Sequence, residues 1–315
     1  MITSFKIIEK RNLWFSVSAL FIIVGFSLMA YRGLNSNPAL NLGIDFAGGS
    51  SLILKFEELN TSYKTNSGNS VSNQEINLDF IQKIRHFLKE LGLEKSAIQI
   101  TQDREVLIKT LLMDSHEQQN ILNALKDKFG QLEVLEIDFI GPTIGQELRE
   151  RSLWIILFVT ISLLLYITWR FEFSYGLAAL LALIHDTLIV ISFSAIFNIE
   201  ITTAFVAALL TVLGYSINDT IVIFDRIREN VNLFRKKHFS MTDIANIALN
   251  QTIIRTINTS VTTILVIGSL LFLGGTTIKG FCLVLLVGIL AGTYSSLFIA
   301  SPFLVMLNTK AKADN

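Results

Sequence analysis

The chain is 315 residues long, 51% hydrophobic and 17% charged, with a formal net charge of zero. Several apolar runs approach or exceed the ~20 residues a helix needs to cross a bilayer, which excludes an ordinary soluble domain and predicts an integral membrane protein. Acids outnumber bases 17 to 12 over residues 33–151, while the short polar connections elsewhere are rich in Lys and Arg, a pattern that argues against nucleic acid as a partner.

The first apolar run, 13–31, follows Lys6, Lys10 and Arg11. It is longer than the h-region of a signal peptide, and Leu28 with Ala30 is a poor cleavage site, so it reads as a retained first span. Further spans are expected over 152–169, 174–197, 201–224, 253–273 and 279–306, with Arg170 and Glu172 marking a tight turn between the second and third. Basic residues set the orientation. Those of segment 1–12, the 170 turn, the 225–252 loop (Arg226, Arg228, Arg235, Lys236, Lys237) and the 307–315 tail (Lys310, Lys312) fall on one side. Only Glu200 and Lys279 mark the short connections opposite. Both termini are therefore expected in the cytoplasm and residues 32–151 outside. The single cysteine, Cys282, allows no intrachain disulfide.

Within 32–151 the pattern changes to that of a folded α+β domain. "LGIDFAGGSSLILKF" (42–56) suggests a strand, and "NLDFIQKIRHFLKEL" places Phe80, Ile84, Phe87, Leu88 and Leu91 on one helical stripe. "SAIQIT" and "REVLIKTL" read as strands around a turn at Gln102 and Asp103. Ser115 and Gln118 suggest a capping box for a helix carrying Ile121, Leu122, Leu125 and Phe129 and closed by Gly130, before a last strand over 132–140. Residues 57–75 read as a flexible polar insertion, and Gly141, Pro142 and Gly145 as a break before the second span. The expected fold is a polytopic α-helical membrane protein with six transmembrane helices and one extracytoplasmic ferredoxin-like (βαββαβ) domain between helices 1 and 2.

Ionisable groups inside the spans point to function. A helix entering near Ile201 puts Asp219 roughly 27 Å along its axis, still within the bilayer, with Asn218 and Thr220 beside it. An intramembrane carboxyl costs at least about 2.5 kcal/mol unless it is neutral, paired or wet. The fifth span runs back and brings Arg255 to a similar depth, with Asn258, Thr259, Thr262 and Thr263 near it, so a polar seam between spans four and five follows. Loss of water favours the neutral acid and a guanidinium favours the anion, so small helix movements could switch the carboxyl between them. The third span carries His185 and Asp186 near mid-membrane, and Asp186 is expected to hydrogen-bond within the bundle. For both residues a second reading, interhelical bonds worth about 1 kcal/mol each with no further role, stays open.

Other chemistry finds no support. There is no G-x-G-D, H-E-x-x-H, phosphate-binding loop or Cys/His metal spacing, so no enzyme activity, cofactor or metal is expected. Gly288 and Gly292 form a G-x-x-x-G suited to close helix packing. Ile244, Ile247 and Ala248 would allow an interfacial helix in the 225–252 loop.

"LGIDFAGG" (42–49), "GPTIGQEL" (141–148), "ALIHD" (182–186), "GYSINDTIVIFDRIREN" (214–230) and "NQTIIRTINTSVTT" (250–263) occur in the order and at the intervals of one motif series. Over almost the whole chain this resembles the SecF branch of the SecD/SecF protein-export family, in the resistance-nodulation-division superfamily. The resemblance implies a subunit that works with SecD beside the SecY translocon and its accessory subunits in the bacterial inner membrane. Such a subunit uses the proton motive force, or sodium in some lineages, to draw an unfolded preprotein across the bilayer. It implies that the family's membrane acid and arginine are Asp219 and Arg255, and that its third-span pair is His185 and Asp186, in a less defined role. A passive scaffold for SecD or SecY, or a small-molecule exporter of the same superfamily, are the competing expectations.

Overall fold

The computed structural model describes residues 5–59, 73–94, 96–101, 103–110, 115–234 and 239–313. The expected insertion at 57–75 therefore lies outside the described residues over 60–72, as do Gln102, Arg235, Lys236 and Lys237, and the side chains of Ser115, Lys310 and Lys312. In chain order the elements are α1 (Arg11–Leu34), α2 (Ile44–Ala47), β1 (Gly49–Phe56), α3 (Asn73–Glu90), β2 (Ala97–Ile100), β3 (Val106–Thr110), α4 (Ser115–Phe129) and β4 (Leu132–Ile140). They continue with α5 (Pro142–Arg170), α6 (Phe173–Phe197), α7 (Thr203–Leu233), α8 (Met241–Leu273), α9 (Thr276–Ser295), a π-turn (Ser296–Ala300) and α10 (Ser301–Ala313). They form two units, Leu42–Arg151 and Met1–Asn41 with Ser152–Asn315.

In the smaller unit the sheet has the order β2-β3-β1-β4 with every neighbouring pair antiparallel. Alternation along β1 turns Leu52, Leu54 and Phe56 inward, and helical spacing brings Ile76, Phe80, Ile84 and Leu88 of α3 and Leu122, Leu125 and Phe129 of α4 onto them. Phe56 meets the rings of Phe80 and Phe129 edge-on at 5.4 and 5.8 Å. Phe56 is fully enclosed, so Phe56→Ala is expected to cost this unit about 3–5 kcal/mol. Limited proteolysis cutting first within 42–151 is the readout.

Two expectations in this unit change. The strand expected from Leu42 begins only at Gly49, because Ile44–Ala47 close a helical turn. Gly48 and Gly49 adopt φ of 74° and 136°, a region that strains any side chain, and a Cβ on Gly49 would lie 2.7 Å from the Thr110 carbonyl oxygen. The glycine pair is thus the corner that turns α2 into β1. Gly141, Pro142 and Gly145 do not interrupt the chain but open α5, where proline suits the first helical position. A Cβ on Gly145 would lie 3.2 Å from the Gly48 nitrogen, so the first turn of α5 lies directly on the glycine corner. Gln118 donates its amide to the Ser50 hydroxyl of β1 at 3.2 Å.

Six helices among the described residues are long and apolar enough to span a membrane: Ile8–Leu34, Pro142–Arg170, Phe173–Phe197, Thr203–Leu233, Met241–Leu273 and Thr277–Asn308. α6, α7 and α9 are the most enclosed of them, and their contacts are close where side chains are small. Gly25 of α1 faces Ser192 of α6, Gly288 of α9 faces Val212 of α7, and Gly292 faces Ser216.

The 225–252 segment, expected as a loop, is mostly helix: α7 continues to Leu233 and α8 starts at Met241. Ile227 and Asn230 are buried on α7, and Asn230 and Arg226 both donate to Gln251 of α8, at 3.0 and 2.7 Å. Ser240 and Asp243 form a capping box at the start of α8. Ile244, Ala245, Ala248 and Leu249 are buried within the bundle rather than laid on an interface. The same turn of α8 holds the amino-terminal segment. Asn246 Oδ1 accepts from the Ile7 and Ile8 amides at 3.0 and 3.2 Å, and Asn250 pairs with both the amide and the carbonyl of Phe5 at 2.9 and 3.0 Å. Charge lowers hydropathy here, but hydrogen bonds between neighbouring chain segments sustain the helices beyond the apolar runs.

Candidate functional site

Thr202 caps α7 by accepting from the Phe205 amide at 3.2 Å, and the buried face of the helix continues through Val212, Leu213, Ser216, Asp219, Thr220 and Ile223. Asp219 is 4% exposed. Its Oδ2 is enclosed without a hydrogen-bond partner. The groups of α8 that act on this carboxyl are the Arg255 guanidinium and the Thr259 hydroxyl. Neither a hydrogen bond nor an ion pair joins Asp219 to Arg255 among the described residues, and Thr259 donates to the Arg255 and Thr256 carbonyls at 3.2 and 2.9 Å. The guanidinium charge acts on the acid from the facing helix without closing a pair.

These residues lie on a continuous α7–α8 seam. Thr263 donates to the Tyr215 hydroxyl at 3.4 Å at one end, Asp219 stands against Thr259 and Arg255, and Arg226 and Asn230 share Gln251 at the other. The residue numbers rise on one helix as they fall on the other, as two antiparallel helices require. Arg255, Thr259 and Asn218 are exposed in the isolated chain.

His185 and Asp186 form a separate cluster on the α6 side of α7. Asp186 is fully buried, and its Oδ2 accepts from Ser216 of α7 at 2.6 Å and Ser295 of α9 at 2.9 Å. Its Oδ1 lies 3.0 Å from Nδ1 of His185, whose Nε2 lies 2.9 Å from the Ser18 hydroxyl of α1. Adjacent residues of one helix thus bond each other and divide their outer partners among three other helices. Thr220 hydrogen-bonds Ser296 at 2.8 Å, and Ser296 donates to the Ser216 carbonyl at 3.2 Å. The π-turn begins at Ser296, and the Ser301 hydroxyl also donates to the Ser296 carbonyl at 3.0 Å.

Of the nine candidates, the structure brings Asp219, Arg255 and Thr259 to one seam, His185 and Asp186 to the second cluster, and Thr220 to the α7–α9 contact. Asn218 stands outside all three, and Gly288 and Gly292 place α9 against α7 at Val212 and Ser216. Sequence reasoning missed Ser18, Ser216, Tyr294, Ser295 and Ser296. The last three share one signal, a cluster of hydroxyls, "TYSS" (293–296), in an otherwise apolar span, whereas Ser18 and Ser216 are single serines in apolar runs. No group of three or more His, Cys, Asp or Glu among the described residues could hold a metal ion.

Comparison with known proteins agrees with the motif series. Residues 120–310 match the model for the carboxy-terminal region of the protein export membrane protein SecD/SecF, and residues 37–58 match the SecD/SecF GG motif, which contains the Gly48–Gly49 corner. The protein translocase subunit SecF of Sebaldella termitidis is 38% identical over 303 residues, covering 96% of this chain and 91% of its own length. That of Pseudomonas aeruginosa is 35% identical, covering 95% and 90%. Among solved structures, SecDF from Thermus thermophilus, described as a translocon-associated membrane protein, superposes with a TM-score of 0.81 at 32% identity. The match takes in 98% of this chain but only 39% of that longer one. With its family models, its near full-length relatives and its six apolar helices all in agreement, the chain belongs to the SecD/SecF family of protein-export membrane proteins, as a multi-pass member on the SecF side.

Proposed function

We propose that this chain couples a transmembrane proton or sodium gradient to a late stage of Sec-dependent protein translocation, as a transport subunit and not as an enzyme. The observation that carries the proposal is Asp219: a carboxyl enclosed in a membrane-spanning helix, with one oxygen unpartnered and a guanidinium of α8 acting on it by charge without a bond. A structural salt bridge would be closed, because a buried charge left without its partner is costly. An open acid–arginine contact is what a site that changes its protonation needs. In the proposed cycle a proton from the outer side neutralises Asp219 and releases it from Arg255, and spans four to six shift against one to three. Loss of the proton toward the cytoplasm restores the contact.

The same reading places both termini in the cytoplasm and the sheet-bearing unit on the outer side. Its βαββαβ order and its strand order support assigning it as a ferredoxin-like domain that handles substrate. The proposed partners are SecD, the SecY translocon with its accessory subunits, and an unfolded preprotein. Support for them comes from relatives named translocase subunits and from a structural neighbour described as translocon-associated.

The test is export by vesicles reconstituted with this chain and its partners, under an imposed proton gradient, an imposed sodium gradient, or none. Export that rises with one gradient and falls back when an ionophore for that ion is added is the expected result. Export indifferent to both gradients, with assembly intact, would leave a passive scaffold as the better account.

A further inference from the structure

We propose that residues 5–9 form a fixed strap, bound along one face of the first turns of α8, that carries the adjoining half of α1 together with spans five and six. The strap follows from its contacts alone; the motion it constrains rests on the gradient-coupling reading.

Amides at the start of a helix have no acceptor one turn back, so those ahead of α1 need one from elsewhere. α8 supplies it. Asp243, Asn246 and Asn250 follow at intervals of three and four and so share one face of that helix. An asparagine side chain carries both an acceptor and donors, as a peptide unit does. Asn250 accepts from the Phe5 amide at 2.9 Å and donates to the Phe5 carbonyl at 3.0 Å, the pairing a neighbouring strand would give. Asn246 Oδ1 accepts from the Ile7 and Ile8 amides at 3.0 and 3.2 Å, while its Nδ2 donates to Glu9 at 2.9 Å. The charge of Lys6 acts on Asp243. Ile7 and Ile8 are 4% and 1% exposed, in the same apolar core as Ala245, Ala248 and Leu249. This face of α8 therefore engages every residue from Phe5 to Glu9, by backbone, apolar side chain or charge.

Beyond the strap, α1 changes partners along its length. Trp14 Nε1 donates back to the Ile7 carbonyl at 3.1 Å, and the Trp14 ring lies 4.4 Å from that of Phe298 in the π-turn. Phe15 stacks on Phe303 of α10 at 4.9 Å, and the Trp14 carbonyl accepts from Tyr294 of α9 at 2.8 Å. At the far end the partners are on α6: Gly25 meets Ser192, and Arg32 donates to the Ala195 carbonyl at 2.9 Å. Ser18, between them, touches both Tyr294 at 3.5 Å and His185 at 2.9 Å.

The near half of α1 is thus fastened to spans five and six, and the far half to span three. A shift of spans four to six takes the near half with it. The dividing line of the bundle then runs through span one, and displacement between the two groups of spans is greatest at the end away from the strap.

Hydrogen exchange by the full chain in lipid nanodiscs tests the strap. The Ile7 and Ile8 amides are expected to exchange slowly in wild type and roughly tenfold faster in Asn246→Ala, with α8 beyond Thr252 unchanged. Equal exchange in the two proteins overturns the proposal. Should α8 itself loosen in that variant, Asn250→Ala, which leaves both isoleucine bonds in place, is expected to speed exchange in the 5–9 segment alone; no change there overturns it too. The carried motion is tested by joining Phe5→Cys to Asn250→Cys with a short reducible thiol linker, in a Cys282→Ala background, and measuring export with and without the gradient that drives wild type. The linked protein is expected to keep its gradient response, because the joined parts move together. A response lost on linking and regained on reduction overturns the fixed strap, since it would then have to open in each cycle. Wild-type export indifferent to every gradient would instead defeat the coupling reading and with it the carried motion, while the exchange result still decides the strap.

Discussion

Asp219→Asn is expected to abolish the gradient-driven part of export while leaving the protein inserted and at normal abundance. The amide keeps the volume and polarity of the carboxyl but cannot lose a proton, so its attraction to Arg255 no longer depends on the ion gradient. The effect should be large. One charge moved through 100 mV gains about 2.3 kcal/mol, roughly fiftyfold in a conformational equilibrium, and an asparagine forfeits all of it. Export would be compared in vesicles with and without the gradient, using equal amounts of wild type and variant. A variant that still responds to the gradient as wild type does would remove Asp219 from the mechanism. Arg255→Met should also impair coupling, because the acid then loses the one cation that acts on it from α8.

Gly292→Val should disable the bundle by a different route. A Cβ at Gly292 would lie 2.8 Å from the Cβ and 3.2 Å from the backbone Cα of Ser216, so no side-chain rotation can make room. α7 and α9 would have to separate. Overpacking of this kind typically costs about 1–3 kcal/mol. Here it also pulls Ser216 from Asp186, a hydrogen bond of 2.6 Å to a buried carboxyl. The expected result is a marked fall in the thermal midpoint of the purified protein, with gradient response lost even in the fraction that remains folded. Gly268, whose Cβ would meet nothing within 4 Å, supplies the control: Gly268→Ala should leave both measurements near wild type.

Much of this was legible before any coordinates. Hydropathy located six spans and the folded insertion, periodicity located the strands and helices of that insertion, and rise per residue put Asp219 and Arg255 at one depth. Spacing also suggested the glycines of α9. Helix ends were harder to read: segment 225–252 looked like a loop because charge lowers its hydropathy, whereas helix content there depends on Gln251 and Asn246 meeting distant partners. The chain before Gly49 looked like a strand because the crowding at Thr110 that forces the glycine corner comes from a residue sixty positions away.

The order of amino acids by itself determined where the chain crosses the membrane, because burial in lipid depends on local composition summed over about 20 residues. It also determined which few side chains are costly there. Partner choice was decided only by the tertiary structure. Asp186 is satisfied by Ser216 and Ser295 from two other helices, while Asp219, one turn along α7 from Ser216, keeps an unpartnered oxygen. A serine in an apolar run reads the same whether it bonds its own backbone, as Ser194 does to Val190, or a distant carboxylate. Only the rotation and crossing of whole helices, set by packing along their full length, distinguishes the two.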